Sequence, residues 1–268
     1  MKFEHLIYEV DSDTHTALIT LNKPESLNAI DRQMHHDILT LCEEIKCNDD
    51  IWVIIWTGAG RGFCAGADVK QGPRPGFDES TPLSDRLGEE SWISRQGKAL
   101  YGIDKPMIAA INGVAAGAGF SLALCCDIRV GSENTRFVTV FQERNLPPEG
   151  GMSFLLPMIV GMGRAMDLSL TSRRMEADES YRIGLLDRLV PQDDLISTAR
   201  DIANRICELP PSAVRITKRS IRRAMETGFA AATEYEVHGG SLTRRAQQDT
   251  EESRTAFREK RKPHYVGR

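Results

Sequence analysis

Two stretches, Arg61-Gly-Phe-Cys-Ala-Gly-Ala-Asp-Val-Lys70 and Asn112-Gly-Val-Ala-Ala-Gly-Ala-Gly-Phe-Ser121, decide how this chain folds. Each crowds Gly and Ala behind an apolar segment: Ile51-Trp-Val-Ile-Ile-Trp56 leads into the first and Pro106-Met-Ile-Ala-Ala-Ile111 into the second. Segments that apolar read as strands buried on both faces, and small residues behind them let backbone approach backbone, or a ligand, closely. A strand that ends in such a turn and runs into a helix leaves free N–H groups pointing outward. Two such turns facing each other make a two-donor oxyanion hole. Either one alone is an ordinary packing turn.

Strand–turn–helix units continue on both sides. Thr16-Ala-Leu-Ile-Thr-Leu21 alternates like a half-buried strand. Asp31 is an N-cap for a helix carrying Met34, Ile38, Leu41 and Ile45 at helical spacing. Ser91 to Leu100 and Ala115 to Leu124 read as helices, and Phe137-Val-Thr-Val-Phe141 as the next strand. Gly and Pro in Gln71-Gly-Pro-Arg-Pro-Gly76 mark a loop. From about Asp193 the pattern turns helical, with Leu195, Ala199, Ile202 and Ile206 on one face and a stop at Leu209-Pro-Pro211. Arg215, Lys218, Arg219, Arg222 and Arg223 fit either an anion site or a solvated helix face.

A chain of 268 residues with 41% hydrophobic and 27% charged content is expected to be globular. Its formal charge of −4, with no basic stripe, argues against nucleic acid as a partner. No apolar run approaches the ~20 residues a membrane helix needs, and Met1-Lys-Phe-Glu-His5 has no signal-like apolar region. The terminal Val-Gly-Arg is not a peroxisomal address. Six cysteines without metal-finger spacing read as reduced thiols of a cytoplasmic protein. Cys64, between Phe63 and Ala65, reads as a space-filler, since no neighbouring histidine is placed to activate it. No His/Asp/Glu cluster suggests a metal.

In combination the motifs resemble the crotonase superfamily, the enoyl-CoA hydratase/isomerase enzymes that act on coenzyme A thioesters. The resemblance starts at Leu18-Ile-Thr-Leu-Asn-Lys-Pro24 and Ser26-Leu-Asn-Ala29 and runs through both Gly/Ala turns. It continues in Cys126-Asp-Ile128, Leu155-Leu-Pro157, Val160-Gly161, Gly184-Leu185, Leu189-Val-Pro191 and Phe257-Arg-Glu-Lys-Arg261. It implies an α/β spiral of repeated ββα units over residues 1–192 and a C-terminal helical layer over 193–268 that packs homotrimers, two of which often stack. It also implies backbone N–H donors at Ala67 and Ala118 for a thioester oxygen. The second donor is often glycine in relatives, so the methyl of Ala118 requires a negative φ. Arg61 and Lys70 match positions near the coenzyme A phosphates, and the backbone at Ala65 matches an adenine contact. Phe257 and Lys260 match residues that often reach a neighbouring subunit's ligand. No permanently bound cofactor is implied; coenzyme A arrives as part of the substrate.

The reaction is read from what the chain lacks. Two glutamates of family hydratases would fall at Ser121 and Phe141, and neither residue here is a carboxylate base. Leu146-Pro-Pro-Glu-Gly-Gly151 resembles the segment where Δ3,Δ2-enoyl-CoA isomerases and dienoyl isomerases place a lone acid, here Glu149. One carboxylate suffices to move a proton from C2 to C4, and desolvation beside Phe120 and Phe141 would raise its pKa. The bland rival is a Glu149 that caps a helix beginning near Gly151. Glu143 approaches the site only if the strand bends, and His35 and His36 read as surface or supporting residues of the first helix. Enoyl-CoA isomerase is the leading expectation. Hydratase, dehydratase or hydrolase chemistry on an unusual acyl group, and a non-catalytic coenzyme A binder, are the alternatives.

Overall fold

The computed structural model describes residues 1–70 and 91–268. The loop expected at Gln71–Gly76 lies outside the described residues. Strands β1 (Leu6–Asp11) and β2 (Thr16–Leu21) precede helix α1 (Arg32–Cys47), strands β3 (Val53–Gly58) and β4 (Gly62–Cys64), and helix α2 (Trp92–Tyr101). Then come β5 (Met107–Ile111), β6 (Val114–Ala116), α3 (Ala118–Cys125), β7 (Ile128–Ser132), β8 (Arg136–Val138) and α4 (Met152–Val160). Strand pairs β3/β4, β5/β6 and β7/β8 each send their first member to one sheet and their second to another. The larger sheet has the order β1-β2-β3-β5-β7-β10, where β10 is Arg188–Val190, and is parallel except for the β1–β2 pair. The smaller has the order β4-β6-β8-β9, where β9 is Met175–Glu176. Repetition of two strands and a helix, one strand to each sheet, is the spiral of ββα units that the sequence resemblance implies.

Burial follows the apolar pattern. Val53, Ile54, Ile55 and Trp56 of β3 are fully inaccessible, as are Met107 to Ile111 of β5. The Asp31 carboxylate caps α1, accepting the Met34 N–H at 2.8 Å. Two expectations shift at their boundaries. Ala115 and Ala116 belong to β6 rather than to the following helix, because β6 must pair with β4 on one side and β8 on the other. The strand expected over Phe137–Phe141 ends at Val138; Val140 takes φ +55° and Phe141 opens a 3₁₀ turn.

The C-terminal part is helical: α5 (Met162–Thr171) and α6 (Ala177–Arg182) lie before β10, and α7 (Leu195–Cys207), α8 (Pro211–Glu226), α9 (Phe229–Thr243) and α10 (Gln247–Glu259) after it. Helix α7 packs Leu195, Ala199 and Ala203 against Val53, Ile55 and Ile108 of the large sheet. Helix α8 is fastened by charge. Arg215 and Arg219 both pair with Asp104, while Lys218 and Arg222 both pair with Asp127, at 2.6 and 2.9 Å. Arg222 also donates to the Tyr101 carbonyl and lies 4.2 Å over the Tyr101 ring. These basic residues form a structural clasp, neither an anion site nor a merely solvated face. Helix α9 leans on α8 where Gly239 meets Ile216, and Gly239 is its single buried residue.

Candidate active site

The two Gly/Ala stretches come together because β4 and β6 are adjacent parallel strands, with Gly62 opposite Val114 and Cys64 opposite Ala115. Buried Asn28 and Asn112 hold the β3–β4 turn, donating to the Gly62 carbonyl at 2.8 and 3.2 Å. Helix α3 then starts in contact with Cys64: a methyl on Gly119 would stand 2.3 Å from the Cys64 carbonyl. Only glycine permits that approach. Burial pushes the Cys64 thiol up to about 12, consistent with a space-filling rather than reactive sulfur.

Ala67 sits in a parallel bridge to Ile30. Ile30 donates to the Gly66 carbonyl at 2.7 Å, and Asp68 donates back to the Ile30 carbonyl at 2.9 Å. Amides alternate in direction along an extended chain, so the Ala67 N–H faces away from Ile30. Ala118 is the first residue of α3, where an N–H has no acceptor within the helix. Gly66 (φ +92°) joins the two: a methyl on it would stand 3.5 Å from the Ala118 nitrogen and 2.7 Å from the Ala116 carbonyl. Ala118 is helical and absent from the described non-glycine residues of positive φ, so its methyl is accommodated. The exposed Ala67 and the buried Ala118 thus flank Gly66, each with an N–H that the paired turns leave unused.

Glu149 is tied to the same helix. One turn beyond Ala118, the Ser121 hydroxyl donates to the Glu149 main-chain carbonyl at 2.8 Å. Gly150 (φ +68°) leaves its missing methyl 2.9 Å from both the Ser121 Cβ and the Ile93 Cγ2. The half-buried Glu149 carboxyl is raised by burial and partly lowered again by a hydrogen bond from Ser91. Gly151 is the N-cap residue of helix α4, and the Met152 N–H reaches the Glu149 main-chain carbonyl at 3.4 Å. Phe120 packs on Phe137 with ring centroids 4.7 Å apart; the apolar side chain set against Gly150 is Ile93. Phe141 is buried.

Other expected residues lie apart. Glu143 is exposed and accepts the Ser172 hydroxyl at 2.8 Å, because the chain turns outward at Val140. His35 is buried, 3.2 Å from the Gln96 Oε1 and edge-on to Trp92; burial holds its imidazole below the ordinary range. His36, next to it on α1, is exposed. Arg61 and Lys70 are exposed at the two ends of the first turn, with Ala65 partly exposed between them. Phe257 is 86% exposed on α10, and Lys260 caps that helix with φ +53°. Sequence reasoning missed Ser91. A local signal existed, since Ser91-Trp-Ile-Ser94 has the form of an N-cap, but its contact with Glu149 is long-range. Among the described residues, no cluster of three or more His, Cys, Asp or Glu is placed to hold a metal, and no helix is long and apolar enough to cross a membrane.

A family model described as "Enoyl-CoA hydratase/isomerase" matches residues 12–268. A short-chain-enoyl-CoA hydratase of Clostridium acetobutylicum is 34% identical, over 98% of this chain and 97% of that protein. A 1,2-epoxyphenylacetyl-CoA isomerase of Escherichia coli is 32% identical, over 99% of each. The crystal structure of an enoyl-CoA hydratase from Bacillus anthracis superposes with TM-score 0.89 at 30% identity, covering 99% of this chain and 100% of that one.

Proposed function

Because the chain belongs to the enoyl-CoA hydratase/isomerase family, we propose that it is an acyl-CoA enzyme of the Δ3,Δ2-enoyl-CoA isomerase type. The observation that carries this reading is the lone Glu149 carboxyl, raised by burial and tethered through Ser121 to the helix that begins with Ala118. The thioester oxygen accepts from the Ala67 and Ala118 N–H groups. Negative charge grows on that oxygen when C2 loses its proton, and each preorganised donor is worth ~10²–10³ in rate. Glu149 takes the C2 proton and returns it to C4, so the double bond moves without water. A carboxyl raised toward working pH suits both halves of that transfer. Ser121, the position where the family resemblance puts a hydratase acid, is engaged with the Glu149 backbone. Phe141, at the second such position, has no proton to exchange.

Arg61 and Lys70, exposed at the two ends of the first turn, are assigned to the phosphates of coenzyme A, and the Ala65 backbone to the adenine, as the family resemblance implies. Phe257 and Lys260 are assigned to the ligand of a neighbouring copy. Exposed Met162, Met166 and Leu170, spaced by four on α5, support a homotrimeric assembly or a dimer of trimers.

The hydratase names of relatives such as the Clostridium enzyme favour a second reading, in which Glu149 directs a water. One assay separates them: purified protein is given 3-enoyl-CoA or 2-enoyl-CoA in heavy-oxygen water, and product mass is read. Conversion of the 3-enoyl thioester without mass gain, lost by ~10²–10⁴ in Glu149→Gln, supports the isomerase. Gain of one water supports the hydratase. Inactivity on both, with coenzyme A still bound, supports a non-catalytic binder.

A further inference from the structure

We propose that Lys23 is a positioning residue for the thioester donor at Ala67, acting through Asp68. This rests on the reading of the Ala67 N–H as one of the two donors to the thioester oxygen. The chain at Ile30 and the chain at Ala67 run side by side but share one isolated bridge. The peptide joining Gly66 to Ala67 carries the donor N–H at one end and the Gly66 carbonyl at the other. That carbonyl accepts the Ile30 N–H at 2.7 Å, and the next peptide donates its Asp68 N–H to the Ile30 carbonyl at 2.9 Å. A single rung with no ladder on either side resists twisting weakly.

Lys23 supplies a second point of attachment. Its Nζ donates to the Asp31 Oδ2 at 2.7 Å and to the Asp68 Oδ2 at 2.9 Å. One ammonium thus joins the residue after Ile30 to the residue after Ala67. All three side chains are mostly buried, so salt screens the pairs little, and bonds between charged groups are the stronger kind.

Both ends of this tie are anchored. The Asp31 Oδ1 accepts the Met34 N–H at 2.8 Å, which pins Asp31 to the start of α1. Lys23 is fixed by its own main chain: its N–H donates to the Asn28 Oδ1 and its carbonyl accepts the Asn28 N–H, both at 2.9 Å. Asn28 in turn grips the Gly62 carbonyl of the β3–β4 turn. The remaining Asp68 oxygen, Oδ1, accepts the Lys70 N–H at 2.9 Å, so the tie reaches the far end of the first turn. An oxyanion donor is effective when it is held in place before the charge appears. Ile30 sets the direction of the Ala67 peptide, and Lys23 stops it from twisting.

Asp68→Asn is the mild test: it keeps an Oδ1 for the Lys70 N–H and leaves Lys23 paired with Asp31. Charge alone predicts a faster enzyme, because an anion leaves the neighbourhood of a growing oxyanion; loss of the tie predicts a slower one. Lys23→Met is the stronger test, and urea denaturation checks that both fold. Each is expected to lower kcat on the preferred enoyl thioester by about ten- to a hundred-fold, since misplacement approaching ~1 Å costs ~10². The dissociation constant of free coenzyme A, which has no thioester carbonyl, stays near the wild-type value. The double variant is no slower than Lys23→Met, because the two residues act as one unit. The infrared carbonyl stretch of bound hexadienoyl-CoA reads the donors directly: it falls on binding to wild type and falls less in both variants.

Folded variants with wild-type kcat and the full fall in the carbonyl stretch overturn the role of Lys23 and leave the donors standing. Losses that add in the double variant, or coenzyme A affinity lost in step with kcat, overturn it as well, since a purely structural ion pair behaves that way. A carbonyl stretch that does not move on binding to wild type overturns the donors and the tie together.

Discussion

Gly66→Ala tests whether the paired turns are the catalytic scaffold. Gly66 has φ +92°, and an added methyl would meet the Ala116 carbonyl at 2.7 Å. The conformation costs an alanine about 1–3 kcal/mol. The contact falls about 0.7 Å inside ordinary van der Waals distance, adding roughly 1–3 kcal/mol of overpacking. Together these should lower unfolding stability by about 2–6 kcal/mol, read by urea denaturation. Relief of the overlap is expected to part Ala67 from Ala118, whose nitrogen lies 3.5 Å from the new methyl. Misplacement approaching 1 Å costs ~10² in rate, so turnover of the preferred enoyl thioester should fall about a hundred-fold in protein that is still folded. Gly163→Ala is the control: it lies within α5 with nothing inside 4 Å of the new methyl, and should stabilise by roughly 0.5–1 kcal/mol without touching kcat. A folded Gly66→Ala with wild-type kcat would refute the two-donor argument.

The α8 clasp makes a stability prediction. Lys218 is buried against Asp127, and burial lowers its pKa while Asp127 opposes the shift. Asp127→Asn strands that ammonium in the interior, and denaturant unfolding should register a loss of about 3–5 kcal/mol; a loss below about 1 kcal/mol means the charges are solvated. His35 sets a pH dependence. Burial depresses its folded pKa, so the unfolded chain binds the proton first as pH drops below about 6.5. Stability therefore declines from there down to the folded pKa and levels off below it. Titrating unfolding free energy from about pH 7 to pH 5 should show that slope in wild type and a flatter line in His35→Gln; parallel lines would sink the assignment.

Much of this architecture is local and therefore legible. The runs Ile51–Trp56 and Pro106–Ile111 declare buried strands, and Asp31 declares its cap. What escaped reading is set by distance in sequence. Residue Val140 gives no warning that it adopts φ +55°, a conformation β-branched side chains avoid, and that bend decides where Glu143 goes. Arg215, Lys218, Arg219 and Arg222 read as an anion site or a solvated face because their partners, Asp104 and Asp127, lie about a hundred residues upstream. At the candidate site, Ala67, Ala118 and Glu149 were reached through resemblance. The Ser91 contact needs α2 stacked on Gly150, which no local pattern records. Phe257 and Lys260 face outward on α10, and nothing in their own segment says what they meet.

Helix α9 has a consequence for what stability means in this protein. It buries only Gly239 and presents Phe229 and Val237 to solvent. In a single copy its amides are therefore protected by little more than the intrinsic helix, which is marginal at this length. The sheets behind Trp56 and Ile108 open only when the body unfolds. Local opening free energies in one chain thus span from near zero to the global value. In a single copy a melting temperature read from total helicity blends two cooperative units, whereas packing of this layer between copies joins them and makes the melt depend on protein concentration.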